Sequence, residues 1–331
     1  MKALVYDGIE TLTYRDMPDP VAGKGDVLVR IARSGICGSD MHAYLGHDAR
    51  RPAPLILGHE AAGTIIGGAR DGELVTINPL VTCRGCRACK AGRENICVQR
   101  QIISMPPRAG AFAQYVAIPD HNAITLPEGA DLSVAAMAEP MAVCWHAARL
   151  GVAALHKSQK NTALVIGGGA IGLGSALSLR AMGIGEVRIL ETQKARAKFL
   201  RGKCFAPTED HIGGEHHGGM FDIVVDAVGY ARTREIASKH VAPGGVFVHI
   251  GLAEDLGGVD VRRMTLQEIT MIGTYTYTAR DFRDTVQAMQ DGRLGPLDWF
   301  ETRPLSDGAQ AFADIRAGSV AAPKIILDPW G

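Results

Sequence analysis

Short apolar runs punctuated by Gly, Pro and Asp fill the chain from Met1 to about Pro140. VLVRIARSGI (27–36), AAGTIIG (61–67), ELVTINP (73–79) and FAQYVAI (112–118) are the clearest, and the pattern predicts a mostly β domain. From about Met141 the texture changes. MAVCWHAARLGV (141–152) reads as helix, and TALVIGGGAIGLGSALSLRAMGIGEVRILE (162–191) reads as strand, glycine turn, amphipathic helix and strand, the opening of a βαβ unit. Strand-like runs recur at FDIVVDAVG (221–229) and GVFVHIGL (245–252), with a helix expected at TREIASKHVA between them. A further helix is expected from roughly Asp281 to Gly292, and the tail ends in the apolar strand KIILD. Between Arg201 and Phe221 the glycine- and histidine-rich chain is too short for strand, helix and strand, so a helix of the doubly wound set is expected to be missing there. His216 and His217 read as exposed loop.

Composition adds limits to this picture. With 331 residues the chain has room for two domains and a substantial core. Lysine plus arginine equals aspartate plus glutamate, 35 of each, so no net field argues for a nucleic-acid or membrane partner. MKALVYDGIE lacks the apolar core of a signal peptide and no stretch is long enough to span a bilayer, which predicts a cytoplasmic protein. An odd number of cysteines, seven, then favours thiols or metal ligands over disulfides.

Gly167-Gly168-Gly169-Ala170-Ile171-Gly172 fits G-x-G-x-x-G, and its position after a strand and before a helix makes it a nucleotide site. Gly167 would permit the tight turn, Gly169 the approach of the pyrophosphate and Gly172 close packing of the helix. Glu191 stands where an acidic residue accepts hydrogen bonds from the adenosine ribose, which favours NAD over NADP, with Lys194 and Arg196 nearby as the opposing cue.

Cys83, Cys86, Cys89 and Cys97 follow C-x₂-C-x₂-C-x₇-C. Four thiolates in one loop close the shell of a zinc ion, which marks a structural site, and Arg84, Arg87, Lys90 and Arg93 would soften its charge. A second, dispersed set lies in SGICGSDMH (Cys37, Ser39, Asp40, His42), LGHEAAG (His59, Glu60) and AEPMAV (Glu139). A cysteine, a histidine and a carboxylate would leave a zinc position free for water or an alcohol oxygen, as a catalytic site requires.

The series CGSDMH, GHEAAG, the cysteine lobe, AEPMAV and GGGAIG, in this order and over essentially the whole chain, resembles the zinc-dependent medium-chain alcohol dehydrogenases. Within them it is most similar to the sorbitol or polyol branch, including L-idonate and galactitol-phosphate dehydrogenases. The resemblance implies an α/β protein. A GroES-like, mostly β catalytic domain would comprise residues 1–140 and 275–331, and a shortened Rossmann domain with a doubly wound parallel sheet residues 141–274. It implies a catalytic Zn²⁺ on Cys37, His59 and either Glu60 or Glu139, beside the structural Zn²⁺, with Ser39 and His42 at proton-relay positions. It places the cofactor on Gly167, Gly169, Ala170, Ile171, Gly172, Glu191, Val228 and Gly251.

The implied activity is hydride transfer between NAD and a secondary alcohol, a polyol or sugar alcohol, giving a ketone. The expected partners are therefore a small alcohol or ketone and further copies of the chain, as dimer or tetramer. An NADPH-dependent ketone reductase or small-diol dehydrogenase of the same fold, and a catalytically silent NAD(P)-binding protein, are the alternatives. Two positions depart from the sorbitol pattern. Ala43 stands where a tyrosine usually follows the relay histidine, with Tyr44 one later. In GTYTYT (273–278), Thr276 precedes Tyr277 where an arginine is frequent, which removes a donor to polyol hydroxyls.

Overall fold

A computed structural model describes residues 1–159, 161–203, 208–209 and 219–331. His216 and His217 lie outside the described residues, as does most of the stretch in which a missing helix is expected. The chain divides into two compact units, Met1–Pro140 with Thr278–Val286 and Leu297–Gly331, and Met141–Tyr277 with Gln287–Pro296. After Tyr277 the chain therefore crosses between the units three times, whereas the resemblance implied one uninterrupted segment, 275–331, in the first.

The first unit is organised by one long strand, Asp26–Gly35. Along one side it pairs antiparallel with Glu60–Ile66, from Leu28↔Ile66 to Gly35↔Glu60. Its other side is shared. Tyr115–Pro119 covers residues 26–30, and the final strand Lys324–Asp328 covers Ser34 and Gly35. Leu74–Ile77, Ala123–Thr125 and Phe300–Pro304 complete a seven-stranded sheet. Val29, Ile31, Ala61, Ile65, Val75, Ile77, Val116 and Ile118 bury their side chains in one cluster, the contacts that hold these strands in register. A two-stranded ribbon, Leu80–Val81 with Gln101–Ile102, brackets the cysteine loop. Lys2–Gly8, Thr11–Asp16 and Leu55–Ile56 form a smaller sheet.

The second unit holds six parallel strands in the spatial order Thr208–Glu209, Glu186–Leu190, Thr162–Ile166, Phe221–Asp226, Val241–His249 and Thr270–Gly273. In chain order this is 3-2-1-4-5-6, the doubly wound arrangement, and the order reverses between Thr162–Ile166 and Phe221–Asp226. Helix Ala170–Ala181 follows the first strand directly and buries Leu173, Ala176, Leu177 and Leu179. Helix Ala231–His240 buries Ala237 and Ser238 on its sheet-facing side.

Candidate active site

Cys37, His59 and Glu60 arrive from the ends of paired strands. Cys37 follows Asp26–Gly35 by two residues, and His59 immediately precedes Glu60–Ile66, whose first residue lies opposite Gly35. Their ligand atoms all lie within 4.8 Å of one another. The carboxylate of Glu139, at the start of helix Ala138–Ala154 and also buried, is outside that set.

Asp40 ties this cluster together from beneath. It is fully buried, accepts hydrogen bonds from the backbone N–H of Cys37 (3.0 Å) and Gly58 (3.3 Å), and places a carboxylate oxygen 3.4 Å from His59 Nδ1. Burial alone would raise its carboxyl, but the His59 ring, Arg51 and the Cys37 N–H outweigh that and hold it below the usual carboxylate range. Burial also opposes charge on His59, yet Asp40 and Cys37 raise its pKa well above the ordinary imidazole value, so protons compete with a cation for this ring. His59 Nε2 faces Ser39 Oγ at 3.4 Å. Arg51, 2 % exposed, donates to the Ser39 carbonyl and approaches Ser39 Oγ, and Asp48 balances its charge at 2.8 Å. His42 sits less than one turn further along helix Gly38–Tyr44 and is partly exposed.

Glu60 shows a contact that the sequence did not announce. Lys324, first residue of the last strand, places Nζ 2.7 and 2.8 Å from the two Glu60 oxygens and donates to the Ile36 carbonyl at 3.0 Å. Burial would lower the Lys324 pKa, but Glu60, Cys37 and Glu139 raise it above the ordinary lysine value, so the ammonium stays charged. The Glu60 carboxylate lies across Gly35, where a Cβ would stand 2.2 Å from Oε2. The signal for Lys324 was a lone cation in the apolar run KIILD, whose register with Asp26–Gly35 only the fold supplies.

In the cysteine loop, Sγ–Sγ distances are 3.9 Å (Cys83–Cys89), 3.5 Å (Cys86–Cys89) and 3.5 Å (Cys97–Cys83). A tetrahedral zinc with Zn–S of about 2.3 Å needs edges of about 3.8 Å, so this donor set fits such an ion. The Gly85 and Cys86 N–H groups bring the Cys83 thiol down to about 6, while burial and the adjacent sulfurs push Cys89 up to about 12. Without a cation the four sulfurs cannot all be thiolates.

At the switch point of the second unit, Gly167 has φ +96° and its Cβ would meet Val228 at 2.5 Å. Gly172 lets the helix descend on the turn, since a Cβ there would sit 1.7 Å from the Gly167 carbonyl oxygen. Gly169, which caps helix Ala170–Ala181, has open space around it and only Arg196 Nη1, at 4.0 Å, in reach of a Cβ. Ala170 and Ile171 open that helix with unpaired N–H groups of the kind that receive phosphate. Glu191 accepts from Gly168 N (2.9 Å) and Gln193 N (2.7 Å), which fixes its carboxylate beside the glycine turn. Val228 and Gly251 meet beyond the carboxyl ends of neighbouring strands, a Gly251 Cβ standing 2.1 Å from the Val228 carbonyl carbon.

Residues 23–128 match the alcohol dehydrogenase GroES-like domain and residues 170–291 the zinc-binding dehydrogenase family. A protein described as "Probable D-xylulose reductase A" from Arthroderma otae is 30 % identical over 96 % of this chain and 94 % of its own length. The chain belongs to the zinc-dependent alcohol dehydrogenase family. Another member, the L-galactonate-5-dehydrogenase of Escherichia coli K12, is 30 % identical over 89 % of this dehydrogenase and 88 % of itself. In fold, the family member at hand is similar to the structure of L-idonate 5-dehydrogenase from Escherichia coli, with TM-score 0.87, 24 % identity, and coverage of 99 % and 97 % of the two chains.

At both departures from the sorbitol pattern the tyrosine is buried. Tyr44 is not free to meet a substrate, because it is buried with its ring 5.3 Å from Phe312. Tyr277 is 1 % exposed and belongs to the core, and Thr276 adopts φ +45° beyond the end of strand Thr270–Gly273.

Proposed function

We propose that this dehydrogenase transfers hydride between NAD and a secondary alcohol of polyol or sugar-acid type, with one catalytic and one structural zinc ion. The observation that carries the reading is the convergence of Cys37, His59 and Glu60 at one buried point beside Ser39. Cys37 and His59 would hold the catalytic zinc with a glutamate, Glu60 or Glu139, and Cys83, Cys86, Cys89 and Cys97 the structural one. Zinc bound at Cys37 and His59 would supply Lewis acidity toward an alcohol oxygen.

The chain's own groups do the rest. Arg51 fixes Ser39, so the Ser39 hydroxyl is oriented to accept the alcohol proton, and His42 stands on the solvent side of it along the same helix. Asp40 holds the His59 ring in one orientation and favours the tautomer with its proton on Nδ1. Gly167, Gly169, Gly172 and the helix start would seat the pyrophosphate. Glu191 would receive the ribose hydroxyls and repel a 2′-phosphate. The names of the D-xylulose and L-galactonate relatives support a polyol or sugar-acid substrate.

A homo-oligomer is supported by strand Thr270–Gly273, which among the described residues borders its sheet with Met271 44 % exposed, near Leu266 in sequence, itself 65 % exposed. The deciding experiment follows nicotinamide absorbance over a panel of polyols, sugar acids and simple secondary alcohols with NAD and with NADP, alongside zinc analysis. Turnover of polyols or sugar acids with NAD, two zinc ions per chain, and loss of turnover with retained cofactor binding in Cys37→Ser are expected. Full activity in zinc-free folded protein, or a Glu191→Ala variant that weakens NADP more than NAD, would reject the reading.

A further inference from the structure

Helix Ala231–His240 buries a guanidinium, and that group serves main chain rather than side chains. Arg234 is 5 % exposed. It donates to the carbonyls of Gly229 at 2.8 Å, Glu254 at 2.9 Å, Gly257 at 2.6 Å and Leu256. Three of these four acceptors belong to residues 252–258, the segment that follows strand Val241–His249 and Gly251. Little else holds that segment. Among the described residues one main-chain hydrogen bond ties it down, from Glu254 N–H to the Gly229 carbonyl at 2.9 Å, and the Glu254 carboxylate accepts from Ala231 N–H at 2.7 Å. Leu252 and Leu256 are 73 and 83 % exposed, so burial of these leucines does not anchor it. The segment nevertheless lies hard against the turn before the helix. A Cβ on Gly229, where φ is +88°, would stand 2.3 Å from the Gly251 carbonyl carbon, and one on Gly258, where φ is +83°, would stand 1.9 Å from the Ala231 carbonyl oxygen. Residues 228–231 and 251–258 thus form one crossing of two chain segments, and Arg234 binds both of them.

The place of this crossing in the sheet gives it a task. It lies beyond the carboxyl ends of Phe221–Asp226 and Val241–His249, on one side of the reversal in strand order, while the glycine turn and Glu191 lie beyond Thr162–Ile166 and Glu186–Leu190 on the other. A dinucleotide lies across such a reversal with one half on each side. Glu191 takes the adenosine half, and the nicotinamide half falls to the crossing at Val228 and Gly251. We propose that Arg234 is a positioning residue for the nicotinamide half of the cofactor, holding the Val228–Gly229 turn and residues 251–257 in one fixed arrangement. This rests on the reading that the glycine turn and Glu191 seat a nicotinamide dinucleotide. Buried as it is, Arg234 acts through the main chain that it holds. An arginine that served only to hold helix on sheet would, when replaced, weaken binding of both halves alike.

The test uses the full-length protein as wild type, Arg234→Met, Arg234→Lys and Glu191→Ala, titrated by calorimetry with NADH and, separately, with ADP-ribose, which lacks the nicotinamide. Arg234→Met is expected to weaken NADH by about tenfold, the scale of having to order a loop on binding, and to leave ADP-ribose at the wild-type affinity. Arg234→Lys keeps the charge but brings three donors to four carbonyls, so it should lose part of the NADH affinity and none of the ADP-ribose affinity. Glu191→Ala, acting on the other half, should weaken both ligands together. Unchanged NADH affinity in Arg234→Met, or an equal loss for NADH and ADP-ribose, overturns the proposal. Should Arg234→Met not fold, as judged by far-ultraviolet dichroism, Arg234→Lys decides by the same comparison: a loss confined to NADH supports the proposal, and no loss or an equal loss overturns it. A wild type without affinity for either ligand, or a Glu191→Ala variant that binds both as the wild type does, overturns the cofactor reading itself and the proposal with it.

Discussion

Gly35 has no side chain because the Glu60 carboxylate occupies that space, and Lys324 is buried because the same carboxylate neutralises it. Neither Gly35 nor Lys324 is conspicuous in sequence. Cys37, His59 and Glu60 could be read from their motifs, since CGSD and GHE are local, but which glutamate stands at the cysteine and histidine is a matter of strand register. The structure puts Glu60 there and Glu139 outside the group. A second pair, partly buried His249 with fully buried Asp226, sets a pH dependence. His249 Nε2 lies 3.7 Å from Asp226, directly opposite it across two parallel strands. Burial lowers the His249 pKa, Asp226 opposes that, and Arg234 adds to the lowering, with a net value below the usual 6.5. The unfolded chain therefore takes up this proton first. Stability from a neutral His249 is complete above about pH 6.5 and is lost as pH falls from there toward the folded value. Denaturant midpoints should fall between about pH 7 and about pH 5.5, and less steeply in His249→Gln. Equal slopes in the two proteins would remove His249 as a cause.

Among elements, the cysteine loop is proposed to contribute order rather than chemistry. Its helix is a single turn, Arg87–Lys90, followed by a 3₁₀ turn at Glu94–Ile96, and neither would persist alone. A zinc ion on the four sulfurs, whose spacing is close to tetrahedral, would bind them together. Cys83→Ser should lose one zinc per chain and lower the unfolding midpoint, with hydride transfer reduced only in proportion to folded protein. Unaltered stability with selective loss of turnover would show that the loop takes part in catalysis. At this scale the sequence was most informative: the strands at 26–35, 60–66, 162–166, 221–226 and 324–328 and the glycine turn all stand where their patterns suggest. What it hid were short pieces without a period, such as Leu55–Ile56, Leu80–Val81 and Thr208–Glu209, whose pairing is set by partners far along the chain.

For the molecule as a whole, one strand edge and the last strand matter most. Among the described residues Thr270–Gly273 borders the six-stranded sheet, with Met271 exposed. If the proposed homo-oligomer forms through this edge, Met271→Lys should shift it toward monomer in sedimentation velocity while leaving the monomer's far-ultraviolet dichroism unchanged, and an unaltered sedimentation profile would reject this edge as an interface. Among the described residues no helix is long and apolar enough to cross a membrane. The last strand carries a different consequence. Cys37, His59 and Glu60 are made early in synthesis, but the lysine that neutralises Glu60 lies 264 residues after it. A ribosome-bound chain can therefore gather its thiol, imidazole and carboxylate before the ammonium exists. The site reaches its final charge balance only when strand Lys324–Asp328 has been made and docks beside Gly35. Loss of that strand is in this sense a lesion at the candidate active site.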